Sequence, residues 1–149
     1  MRPITTSAQR VLDSLIAGLP SGQIGAAYRL DARPSVYMAV SVERIGPRLY
    51  SIAHYGEQNG DLMRDPEMVF WHREDGRFYP TYYRNDYVGV ERECVWFDEQ
   101  GQPRAEKRRE QADQTIFADT WMRNIAHQQA EALNRTVTAR TDAQKAHAS

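Results

Sequence analysis

The 149-residue chain holds one cysteine, Cys94. No disulfide can close within it, and one thiolate cannot build a metal cluster. It also lacks an excess of either charge. Lys+Arg number 19 and Asp+Glu 20, a formal net charge of −1. Divided at Phe97, the chain carries 11 bases against 12 acids before that point and 8 against 8 after it. Neither half has a field that would steer it to nucleic acid or an anionic membrane, nor the dense negative surface of a DNA mimic. Long hydrophobic runs are missing too. The opening "MRPITTSAQRVLDSLIAGLP" is interrupted by polar residues at helical spacing, so it offers no signal-peptide core or membrane span. There is no Gly-rich phosphate loop, "HExxH" or nucleophile elbow. These absences lead us to expect a soluble cytoplasmic protein, with no cofactor and neither nucleic acid nor membrane among its partners.

What is present is pattern. Ile4, Ala8, Val11, Leu12, Leu15, Ile16 and Leu19 recur at helical spacing. Thr6 with Gln9 matches a capping box, and Gly18 and Pro20 supply a stop, so a helix is expected from about residue 6 to 18. Residues 21–35 read as a connector. From Val36 the period becomes two, with Val36, Met38, Val40 and Val42 on one face, and "RIGPR" ends this strand. Further strands are expected at 49–55, 67–73, 78–84 and 90–97, the first two joined by an Asn59-Gly60 hairpin. Pro80 cannot donate to a ladder, which places its strand at an edge or a bulge. Residues 98–115 read as a polar loop or an exposed turn opening near Pro103. Ile116, Phe117, Thr120, Trp121, Asn124, Ile125 and Gln128 then form a helical face over about 114–133. Phe117, Trp121 and Ile125 are expected to hold this helix to the sheet. Residues 134–149 lack an apolar period and read as a disordered tail after one domain at 1–133. The fold class is α+β: an N-terminal helix, a five-stranded antiparallel meander sheet and a C-terminal helix packed on one sheet face.

Two constellations could carry function. In "HYGEQNGDLMRDPEMVFWH" (54–72), a hairpin at Asn59 and Gly60 would bring His54 and Glu57 toward Asp61, Asp65 and Glu67. Such O and N ligands suit a divalent cation, and paired carboxylates can divide acid and base roles. No metal is assigned, because the set has no established ligand spacing and acids beside a hairpin tip also serve solubility. The other constellation is tyrosine-rich: Tyr79, Tyr82, Tyr83 and Tyr87 run beside Arg84, Asn85 and Asp86. Tyrosine and arginine suit recognition surfaces. Strand alternation puts Tyr79, Thr81 and Tyr83 on one face and Phe78, Pro80 and Tyr82 on the other. The candidate binding surface is Tyr79, Tyr83, Arg84, Asn85, Asp86 and Tyr87. Cys94, mid-strand among apolar residues, reads as a small buried hydrophobe.

Three blocks, "HYGEQNGDLMRDPEMVFW", "YPTYYRNDYVGV" and "FADTWMRNI", resemble a bacterial domain-of-unknown-function family carried on plasmids, integrative conjugative elements and phages. Its pattern is "HYxEQNGDLMxDPEM", then "YxND", then "FxxxWxxNI". Gly56 stands where a second tyrosine is common, and "NIAHQQAEAL" lacks the family's closing "QGF". The likeness spans roughly residues 36–128. It implies mobile-element carriage and transfers no activity or catalytic residue. The expectation is therefore a non-enzymatic accessory protein that binds a host or element-encoded protein, with an anti-defence role. The alternatives are a metal-assisted hydrolase or nuclease at 54–67, and a nucleic-acid-binding module. Nothing in the sequence specifies the oligomeric state.

Overall fold

A computed structural model describes residues 1–31, 38–130 and 132–133; the expected tail at 134–149 lies outside them. The fold is α+β. Helix α1 (Thr6–Ala17) is followed by strands β1 (Ala27–Leu30), β2 (Val40–Gly46), β3 (Leu49–Gln58), β4 (Asp61–His72), β5 (Phe78–Asn85) and β6 (Val90–Glu93). A small hairpin of β7 (Val95–Phe97) and β8 (Pro103–Glu106) leads into helix α2 (Arg108–Gln128). The first six strands form one antiparallel sheet in chain order, and β7 and β8 form a second. The meander was expected with five strands. The sixth is β1, hidden in a stretch read as connector because its four residues are too few to show a period.

Other boundaries moved for local reasons. Thr5, not Thr6, caps α1, its hydroxyl accepting from the Ala8 N–H at 3.3 Å. β2 continues through Arg44 to Gly46, so "RIGPR" bends the chain only at its end; Val36 and Tyr37 lie outside the described residues. The single strand expected at 90–97 divides at Cys94. Its N–H donates to the Thr81 carbonyl, and its own carbonyl accepts from Lys107. The chain thereby leaves β5 and pairs with β8 instead. Pro103 opens β8 rather than a helix, and α2 begins at Arg108, inside the segment read as loop.

Cross-strand partners share a sheet face, so register decides what lies under the helices. Val42, Ile52, Met68 and Tyr83 stand in one row. With Phe70 and Phe78 they meet Leu12 and Leu15 of α1 and Met122 and Ile125 of α2 in the core. On the opposite face Trp71 contacts Tyr79 and Phe97, with ring centroids 5.8 and 5.5 Å apart.

The expected Asn-Gly turn is present, with φ of 53° at Asn59 and 85° at Gly60. A Cβ on Gly60 would meet nothing within 4 Å, so only the backbone opposes it. Gly60→Ala should therefore cost about 1–2 kcal/mol. The check is a lower urea midpoint with an unchanged slope.

Candidate functional site

β3 and β4 extend past the helices as a ribbon, and bulges decide where its side chains go. The β3–β4 register slips between Ala53 and Tyr55, next to the cis Asp65-Pro66 bond. The slip splits the expected polar set three ways. Glu57, Asn59 and Asp61 stand exposed at the tip. Glu67 lies on the outer face, accepting from the Ser51 hydroxyl at 2.7 Å and paired with Arg64 at 3.3 Å. His54 faces inward toward α2, and Asp65 accepts from the Asn85 amide at 2.9 Å. His54 and Glu57 are thus not carried together toward Asp61, Asp65 and Glu67. Among the described residues no group of three or more His, Cys, Asp or Glu side chains could hold a metal ion.

The tyrosine run is divided by a second bulge. Val69 pairs with Tyr82 and Phe70 with Pro80, leaving Thr81 as the extra residue. Alternation restarts there, which puts Tyr79 and Tyr83 on opposite faces rather than together. This is the bulge that Pro80 signalled. Tyr79 is buried on the outer face, donating to Asp75 at 2.9 Å. Tyr82, on the same face, donates to Glu91 at 2.8 Å; burial, then Glu91, push its phenol up to about 12. Tyr83 faces α2, where its ring meets Phe117 edge-on at 5.3 Å.

Arg84, Asn85, Asp86 and Tyr87 tie the β5–β6 turn to the ribbon. Asp86 accepts from the Arg64 N–H at 2.8 Å and from Arg84 at 2.8 Å. The Arg64 backbone bond and then Arg84 hold its carboxyl below the usual carboxylate range. The Tyr87 hydroxyl lies where a Cβ on residue 56 would project, so Gly56 makes room for it. Tyr87 is otherwise exposed.

Residues from all three quoted blocks therefore meet along one seam. Tyr83, Phe117, Trp121 and His54 form a continuous ring ladder, with centroid spacings of 5.3, 6.2 and 5.4 Å. The Trp121 indole N–H donates to His54 Nδ1 at 3.2 Å. An indole can only donate, so the neutral imidazole carries its proton on Nε2, and that buried atom has no partner among the described residues. Burial lowers the His54 pKa, with Asp65 opposing. The unfolded chain, near 6.5, then binds the proton more readily than the fold. Stability should fall as pH drops below 6.5 toward the lowered folded value. His54→Gln, which keeps an acceptor for the indole, should flatten that slope in urea titrations between about pH 7 and 5. An unchanged slope would assign it to other groups.

Sequence reasoning missed the first turns of α2. The helix buries Gln111, Gln114, Thr115, Ala118, Trp121, Met122 and Ile125, while Ile116, Thr120 and Asn124 face solvent. Phe117, expected as an anchor, is 39 % exposed. The helical period was visible in these residues, but its first members are glutamines, which an apolar search passes over. Cys94 is buried and its thiol is pushed up to about 12 by burial. No helix among the described residues is long and apolar enough to cross a membrane.

The profile of a family described as "Domain of unknown function (DUF6908)" matches residues 10–130. No curated protein and no solved structure matches the chain.

Proposed function

The chain belongs to the DUF6908 family, and from that premise we propose that it is a non-enzymatic accessory protein that binds another protein. Its contact surface is the end of the sheet where the β5–β6 turn, the β3–β4 ribbon and α2 come together. The observation that carries this is apolar and aromatic exposure in one region. Val88 is 68 % exposed, and Tyr87 and Phe117 stand beside it on elements held by Asp86 and the ring ladder. Exposed apolar patches on an ordered frame are characteristic of interaction sites. The resemblance to proteins of plasmids, conjugative elements and phages supports a partner encoded by the element or its host. A host defence component is the partner class we propose.

A hydrolase at 54–67 has less support, since its carboxylates part to the tip and to two sheet faces. A nucleic-acid module would need a basic field, which the near-neutral charge does not supply.

The test is affinity capture from host lysate with the full chain and with Tyr87→Ala plus Val88→Asp. A specific partner lost in the double variant, at unchanged melting temperature, supports the reading. Failure to recover any specific partner at micromolar sensitivity, or capture indifferent to both substitutions, overturns it.

A further inference from the structure

We propose that the cleft between the first turns of α2 and the β5–β6 hairpin receives an arginine or lysine side chain of a partner protein. This rests on the protein-binding reading and names the chemistry of its contact. The cleft is shallow and open to solvent, with about 270 Å³ of space, room for one long side chain. Tyr83, Val88 and Phe117 give it an apolar wall, and Asp113 and Glu110 stand at its polar side. The edge-to-face pair of Tyr83 and Phe117 offers aromatic surface to an aliphatic stem and to a cationic head.

The deciding observation is Gln114, which lines the cleft and is 3 % exposed. Its Nε2 donates to the Arg92 carbonyl at 3.0 Å and to Glu110 Oε1 at 3.2 Å. Two acceptors fix which end of the amide is nitrogen. Its Oε1 is left buried with no partner among the described residues. A buried acceptor without a donor favours a ligand rich in N–H groups. Arg92 does not fill that role: it holds Glu110 at 3.4 Å from an exposed position. Asp113 forms no ion pair among the described residues and remains available to a cation. Arg92 also lines the cleft, and its charge is offset by Glu110, which leaves the Asp113 carboxylate in excess. A neutral apolar ligand would leave Gln114 unsatisfied, and an anion would face that carboxylate. An arginine head satisfies the two groups left without a partner among the described residues, Gln114 Oε1 and Asp113.

The experiment is a nuclear magnetic resonance titration of the full chain with N-acetyl-arginine amide, and with N-acetyl-norleucine amide as the apolar control. The expected result is saturable shifts of the Gln114 side-chain amide and the Phe117 ring, at a Kd in the millimolar range for so small a probe. Asp113→Asn, at an exposed helix position, should weaken binding about threefold to fivefold, and added salt should weaken it too. Absence of saturable shifts, an equal response to norleucine amide, or indifference to Asp113→Asn would each overturn the proposal. So would contacts from Arg135, Arg140 or Lys145 to the Phe117 ring without probe, which would assign the cleft to the chain's own C-terminal segment. The two readings separate. Arginine binding with no captured partner removes the protein-binding reading, and with it the partner as source of the side chain, while the cleft's chemistry stands. Capture that depends on Tyr87 and Val88, without arginine binding, removes the basic side chain alone.

Discussion

Trp121→Ala should lower the unfolding free energy by about 3–5 kcal/mol, in the range of large aromatic truncations. The indole is 5 % exposed and meets His54 edge to face and Phe117 at a tilt across the seam between α2 and the sheet. Truncation opens a cavity and also strips His54 Nδ1 of the Trp121 N–H. The imidazole Nε2 is already unpartnered, so His54 would be left without a hydrogen bond among the described residues. Trp121→Phe divides the two effects. It keeps an aromatic ring at the contact but removes the N–H and part of the bicycle; the orphaned buried acceptor should cost about 1–3 kcal/mol, with a smaller cavity contribution than alanine leaves. Urea unfolding of both variants measures the split. A Trp121→Phe loss equal to that of Trp121→Ala would mean that packing contributes little. No loss in either would remove the anchor role of α2.

Gln111→Ala should cost about 2–4 kcal/mol, which is large for a polar side chain on a helix. Gln111 is 1 % exposed, and its amide works as a clasp. Oε1 accepts from the Arg2 N–H at 2.7 Å, and Nε2 donates to the Arg2 carbonyl at 2.8 Å and the Pro80 carbonyl at 3.3 Å. One residue thus joins the N-terminal segment, α2 and the β5 bulge. Two residues on, Ile4 donates to the Phe78 carbonyl at 3.0 Å and is fully buried in the core. Loss of the clasp should therefore raise amide exchange at Ile4 as well as lower global stability. Gln111→Glu tests the clasp against simple volume. It keeps size and one acceptor but loses both amide donors, and it should be about as damaging as alanine. A harmless Gln111→Glu would show that the hydrogen bonds contribute nothing.

The chain states much of this architecture in local terms. The apolar stripe from Ile4 to Leu19 specified α1, because helical spacing alone puts those side chains on one face. Asn59-Gly60 specified the long hairpin, because few other pairs accept two positive φ angles. Pro80 announced an irregular strand, and one appeared beside it at Thr81. A likeness to a domain of unknown function was also legible, and a family so described matches residues 10–130; residues of the three quoted blocks share one seam.

What local pattern could not supply was which side chains meet. The one-residue slips near His54 and at Thr81 reverse every face that follows, so alternation counted from the sequence put Tyr79 beside Tyr83 and gathered acids that the fold separates. Bulges depend on the partner strand, and no strand carries its partner's register. The same limit hid the start of α2. Gln111 and Gln114 look like solvent residues until carbonyls of Arg2, Pro80 and Arg92 arrive from elsewhere in the chain to make their burial possible. Composition, period and turn chemistry determined the elements and their order. Only the tertiary structure decided the contacts, because a buried polar group is defined by partners far away in sequence.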